Sequence, residues 1–225
     1  MNIATLSPFI SYPKQAAFGR VLPKNKIYEH SSATTRLKDL FVYQVERVVW
    51  QYKLAPETVN LPAGFGVPEI QIFSISLKTP NLSIDVLRCI DLAVQFPIIF
   101  ELHYEEKTQV IASYKRPNNS DSSSWLLSDY FSTDWLPGDT SRSAMPLVLD
   151  LGSLYEQVLL RLIPLLIRHS ESIADLVSRF ELVVAKRREV EKIANKLLKE
   201  KQFNRKVEIN SSLRQLKAEL KQLSL

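Results

Sequence analysis

Residues 67–115 read VPEIQIFSISLKTPNLSIDVLRCIDLAVQFPIIFELHYEEKTQVIASYK, and this run decides the fold. Ile70, Ile72, Ile75 and Leu77 recur near every second position among β-branched and aromatic residues, the pattern of a strand with one face on a core. Pro80 closes the strand. Asn81 or Ser83 then caps a helix that carries Asp85 in its first turn and runs to Val94. Residues 96–104, the polar turn Glu105, Glu106 and Lys107, and residues 108–115 predict a β-hairpin with a loop of about four or five residues. Strand alternation in that hairpin sets Ile98, Phe100 and Leu102 on one face and Glu101, His103, Ser113 and Lys115 on the other.

Upstream, residues 45–54 have strand composition, residues 34–41 read as a short helix, and residues 13–28 show no decisive period. Pro56, Pro62, Gly64 and Gly66 mark a loop. Downstream, the Asn, Ser and Asp content of residues 117–124 predicts a flexible segment before a strand over 125–131, and residues 136–146 read as a proline-rich linker. Ser153 with Glu156 forms a capping-box pattern opening a helix over 154–168. Beyond it, Ile173, Leu176, Phe180, Val183, Val190, Ile193 and Leu197 form one apolar seam, and Ile209, Leu213, Leu216, Leu220 and Leu223 form a second. Asn204, Asn210, Ser211 and Ser212 supply capping residues between the seams, which favours an antiparallel helical hairpin over one rod. The expected architecture is α+β: a mainly antiparallel sheet with flanking helices over 1–149, a connecting helix over 150–170, and a helical hairpin, an antiparallel coiled coil, over 171–225.

Composition limits the function classes. The chain has 45% hydrophobic and 24% charged residues, enough for a sizeable core. Its longest apolar stretch, residues 154–167, is broken by Glu156, Arg161 and Pro164 and falls short of the roughly 20 residues a bilayer span needs, so no membrane crossing is expected. Residues 1–10 lack the basic and apolar regions of a secretion signal, and the single cysteine, Cys89, excludes a disulfide framework, so a reducing cytoplasm is expected. From residue 180 onward there are 12 Lys or Arg against 6 Glu, while the preceding 179 residues hold 17 basic against 18 acidic side chains. The basic excess belongs to the C-terminal hairpin, where Arg187, Lys192, Lys199 and Arg205 are candidate phosphate contacts. A second candidate is Lys24 and Lys26, with Arg20 and Lys14 nearby, interleaved with Tyr12, Phe18 and Tyr28.

Catalytic patterns are loose. A nuclease of the PD-(D/E)xK type needs two carboxylates on Mg²⁺ and a lysine beside the attacked phosphate. The nearest approximation is Asp91, Glu101 and Lys115, although position 103 carries His103 where the lysine belongs. His30, His103 and His169 lack metal-ligand spacing, Cys89 reads as a small buried hydrophobe, and Gly64-Phe65-Gly66 is too short for a phosphate loop. No metal or cofactor is expected, and the pattern favours a non-catalytic role.

Several segments in order carry a family resemblance: Leu22-Pro23-Lys24, Trp50-Gln51-Tyr52-Lys53-Leu54, Thr58-Val59-Asn60-Leu61, Glu69-Ile70-Gln71-Ile72-Phe73, Ile90-Asp91, Phe100-Glu101-Leu102, Tyr114-Lys115-Arg116 and Lys201-Gln202-Phe203-Asn204-Arg205-Lys206-Val207. Together the chain resembles the bacterial family catalogued as domain of unknown function 4391. The resemblance implies a small accessory protein encoded beside helicases and DNA methyltransferases in restriction-like, phage-defence gene clusters, and it implies no catalytic residue set. The expected function is therefore an adaptor whose hairpin, through Leu213, Leu216 and Leu220, docks onto such a helicase or methyltransferase, or onto a second copy of itself, with DNA or RNA as a further partner. The alternative is a metal-dependent nuclease, or nucleic-acid-processing subunit, using Asp91, Glu101 and Lys115.

Overall fold

The structure, a computed structural model, describes residues 7–64, 66–118 and 121–225. Residues 1–6 of the segment lacking secretion-signal features, Phe65 of the glycine loop, and residues 119–120 of the expected flexible segment lie outside the described residues. The chain divides into two compact units, Met1–Leu162 and Ile163–Leu225.

In the first unit the elements run β1 (Ile10–Ser11), β2 (Ala17–Val21), α1 (Lys24–Ser31), α2 (Thr35–Gln44), β3 (Val45–Leu54), α3 (Pro56–Val59), β4 (Ile70–Leu77), α4 (Ile84–Ala93), β5 (Ile98–Tyr104), β6 (Lys107–Asn118), β7 (Asp121–Ser132), β8 (Leu136–Pro137), β9 (Ser143–Ala144) and α5 (Leu151–Leu162). Among the described residues a seven-stranded sheet runs β2-β3-β4-β5-β6-β7, with β8 added beside β6. Within this sheet every pairing is antiparallel except β4 with β5. That parallel step follows from α4, which carries the chain back across the sheet between them.

The core explains the helix. Ser83 caps α4 by accepting the Asp85 N–H, and Val86, Leu87, Cys89 and Ile90 turn inward onto Phe73 and Ile75 of β4 and Phe100 and Leu102 of β5. Phe41 and Ile27, from α2 and α1, complete the same cluster. Thr34 caps α2, as the polar residue ahead of its apolar face suggests.

Residues 117–118 and 121–124 of the expected flexible segment lie in β6 and β7, and three more expectations about this unit change. The hairpin turn is Glu105-Glu106 alone, with Tyr104 facing Lys107, so it is tighter than expected; Glu105 takes the left-handed conformation (φ 51°) such a turn requires. Residues 136–146 are not a free linker, because β8 pairs with β6, β9 runs parallel to β1 (Ile10 opposite Ser143), and Arg142 donates to the Ile10 carbonyl. The helix read over 154–168 begins at Leu151, with Asp150 Oδ1 accepting the Ser153 N–H, and ends at Leu162 ahead of Pro164. It packs into the first unit through Leu154, Tyr155, Val158 and Leu159, so it is core and not a connector. Its start lies so close to the 56–67 loop that a Cβ on Gly64 would sit 2.3 Å from the Gly152 nitrogen.

The second unit is the helical hairpin: α6 (Ile173–Lys199) and α7 (Phe203–Ser224), joined by residues 200–202. The break falls before Asn204, so Asn204, Asn210, Ser211 and Ser212 lie inside α7 and cap nothing. Glu200 makes the turn instead, its carboxylate accepting the N–H groups of Lys201 and Gln202. At the other end of the hairpin Arg179 is buried, bidentate to Glu171 and donating to the carbonyls of Leu166 and Leu223. No helix of the described residues is long and apolar enough to cross a membrane.

Candidate functional site

The residues proposed for catalysis lie on two faces of the sheet. Phe100 of β5 pairs with Ile111 of β6, so Glu101 pairs with Val110, while Ser113 and Lys115 share the parity of Ile111. Ile111 belongs to the cluster under α4, which places Ser113 and Lys115 on the α4 face and Glu101 on the other. A turn of Glu105 and Glu106 in place of one of Glu105, Glu106 and Lys107 shifts the register by one, and one residue of register moves every side chain across the sheet. Asp91 and Lys115 come together; Glu101 does not join them.

On the α4 face the polar groups form a closed set. Lys115, 2% exposed, donates to the carbonyls of Asp91 (2.5 Å) and Val94, the last turn of α4, and its Nζ stands 3.6 Å from Asp91 Oδ1. It is a buried cation capping a helix C-terminus, where the macrodipole and unpaired carbonyls favour one. Tyr130 donates to Asp91 Oδ2 at 2.5 Å, and Tyr155 bridges the β6 backbone, donating to the Ser113 carbonyl and accepting the Lys115 N–H. Asp91 Oδ1 and Ser113 Oγ are buried without a hydrogen bond. Burial pushes the Asp91 carboxyl up to about 6, against the opposing pull of Lys115 and Tyr130, and pushes the Lys115 ammonium down. The arrangement does structural work: it ties α4 to β6 and β7.

Glu101 is also committed. Both its oxygens accept from Arg142, at 2.8 and 2.6 Å, and Arg142 in turn holds the β1 segment. His103 pairs through Nδ1 with Thr108 Oγ1 at 3.0 Å. Cys89 lies 2.9 Å from Ser31 Oγ, and burial raises its thiol, which lowers its reactivity.

One cluster has only a faint sequence signal. Lys53 Nζ lies 2.8 Å from Glu57 and 3.4 Å from Glu69, whose other oxygen accepts from Gln71 at 2.7 Å. Lys53 and Gln71 are register partners on β3 and β4. The spacing of Lys53 to Glu57 and of Glu69 to Gln71 was visible, but the strand pairing that joins them was not. The lysine ammonium itself takes the place between the two carboxylates that a shared cation would need. Among the described residues no group of three or more His, Cys, Asp or Glu is placed to hold a metal ion.

The N-terminal basic cluster is largely spent as well. Lys24 donates to the carbonyls of Phe41 and Val45, closing the end of α2, and burial lowers its ammonium; Lys26 pairs with Glu29 at 2.7 Å. Arg187, Lys192, Lys199 and Arg205 on the hairpin are exposed, and none is in an ion pair among the described residues. The expected docking residues behave differently. Leu213 is 7% exposed and Leu216 and Leu220 are half-buried along α7, whose contacts are with α6, so this stripe closes the hairpin and is not an open surface. The large apolar side chains left in water at the turn are Leu198, Phe203 and Val207.

No curated protein and no solved structure matches this chain. A family model described as "Domain of unknown function (DUF4391)" matches residues 10–220, nearly the whole chain and spanning both units. The chain belongs to that family.

Proposed function

We propose that the protein is a non-catalytic adaptor of a restriction-like phage-defence system, which docks through its C-terminal hairpin onto a helicase or DNA methyltransferase of the same gene cluster and contacts nucleic acid through the basic hairpin face. The observation that carries the reading is the division of labour between charged groups. In the first unit the candidate catalytic side chains are each held in an ion pair, Asp91 with Lys115 and Glu101 with Arg142. On the hairpin, Arg187, Lys192, Lys199 and Arg205 stand exposed without carboxylate partners among the described residues. Exposed cations on a rigid helical pair suit a phosphate backbone or an acidic protein surface. The gene-cluster context and the partner class rest on the family resemblance.

The test is affinity purification of the tagged full chain from its native host, with mass spectrometry of co-purifying proteins before and after nuclease treatment. Recovery of a helicase or methyltransferase that survives nuclease supports the adaptor reading. Recovery of neither, together with Mg²⁺-dependent cleavage of DNA or RNA by the purified protein, overturns it.

A further inference from the structure

We infer that the docking surface of the hairpin is its turn, and that it receives an acidic, apolar-centred protein segment, an amphipathic helix flanked by carboxylates. The inference rests on the adaptor reading above and assigns it a place and a partner chemistry.

Leu198 is 82% exposed, Phe203 77% and Val207 54%. Phe203 and Val207 are one helical turn apart on α7, so they share a face; with Leu197, Leu198 and Lys206 they line a shallow depression of about 470 Å³. Isolated exposed apolar residues are ordinary, but several lining one concavity mark an interaction site. Leu197 ends the first seam, but Leu198, Phe203 and Val207 belong to neither seam, and the seams are closed along the hairpin by buried Val183 and Leu213.

The charge around the depression defines the occupant. Residues 192–210 hold six basic side chains, Lys192, Lys196, Lys199, Lys201, Arg205 and Lys206, against Glu200 and Glu208. This net +4 is nearly the whole +5 of the chain. Glu200 is further committed, since its carboxylate accepts the two N–H groups of the turn, which also hold it below the ordinary carboxylate range. A second copy would bring two +4 surfaces together and is disfavoured by repulsion. Duplex DNA would satisfy the cations but leave Leu198 and Val207 with no apolar counterpart. A helix with apolar residues on one face and Glu or Asp beside them fills the depression and neutralises the rim together.

The test uses the full-length protein and fluorescence anisotropy with a synthetic amphipathic helix of about 20 residues, Leu on one face and Glu flanking it. A peptide with Lys in place of Glu, vesicles of phosphatidylcholine with phosphatidylglycerol, and short duplex DNA are compared. The Glu peptide is expected to bind, and the double variant Leu198→Ser, Phe203→Ser to weaken it by at least about tenfold with helicity by circular dichroism unchanged. Lys199→Gln with Arg205→Gln should weaken it and reduce its salt dependence. No binding of the Glu peptide, equal binding of the Lys peptide, or preferential retention on vesicles or DNA overturns the assignment. If Leu198→Ser, Phe203→Ser still recovers the helicase or methyltransferase from the host, the adaptor reading stands and the turn is not its docking surface.

Discussion

Lys115→Met removes a buried ammonium while keeping a side chain of similar length, and the loss can be worked from three contacts. The carbonyls of Asp91 and Val94 lose their donor, at roughly 1–3 kcal/mol for each buried acceptor left unpaired. Asp91, 1% exposed, loses its countercharge; breaking a buried pair from one side costs about 3–5 kcal/mol. Because its carboxyl already sits near 6, Asp91 escapes most of that cost by taking up a proton, at about 1.4 kcal/mol at pH 7, so about 3–7 kcal/mol in total is expected at neutral pH. In a chain of this size that lowers the melting temperature by roughly 6–28 °C. The penalty should shrink on going from pH 8 to pH 5, since protonation of Asp91 removes the unpaired charge, and Lys115→Met with Asp91→Asn should recover part of the loss at pH 8. Thermal unfolding followed by circular dichroism across that range gives all three numbers. A melting temperature within about 2 °C of wild type, or a loss independent of pH, would refute the view that Lys115 holds the end of α4.

Four further outcomes follow from the same geometry. In wild type the folded state holds a proton on Asp91 up to about 6 while the unfolded chain releases it near the ordinary Asp value, so stability at this site falls as pH rises through that window, and Asp91→Asn should flatten the slope of stability against pH there. Glu171 runs in the opposite sense: Arg179 holds its carboxyl down to about 2, so its contribution is full above the ordinary Glu value and is lost as pH falls toward 2. Arg179→Met should remove that dependence and destabilise the hairpin by about 3–5 kcal/mol, read by acid titration of its helical signal. Leu213→Asp should melt the hairpin itself, at several kcal/mol for a carboxylate in its seam, with reduced far-ultraviolet helicity; a full helical signal would show that the seam is not closed by Leu213. Changing Arg187, Lys192, Lys199 and Arg205 together to Gln should flatten the salt dependence of DNA retention by up to about 3–4 in the slope of log K against log salt, and no retention by wild type at about 50 mM salt removes nucleic acid from the reading.

The elements were legible where local pattern suffices. The β4 alternation, the Ser83 cap and the apolar face of α4, and the leucine spacings of α6 and α7 each predict what forms. What local pattern does not contain is register and pairing. A two-residue turn in place of a longer one moved Glu101 across the sheet from Lys115, and β9 pairing with β1 converted an expected linker into part of the body. The same limit hid the roles of the lysines. A buried Lys24 or Lys115 closing a helix end reads, in sequence, like any basic residue near an aromatic, because its acceptors are carbonyls that lie 21 and 24 positions away. Conversely, the heptad seam showed that α7 has a partner stripe but not that α6 would use it up.

The pairing of β1 with β9 also bears on the order in which the chain folds during synthesis. Arg142 reaches the Ile10 carbonyl across 132 positions, and Arg161 donates to the Ser7 carbonyl from 154 positions away. Ser7 and Ile10 therefore wait for partners made much later, and the wait is governed by translation, which proceeds at roughly 5–20 residues per second. Until β9 emerges the nascent unit carries an unpaired β1 strand. The hairpin, built from contacts between neighbouring helices, has no such delay and closes as soon as α7 emerges.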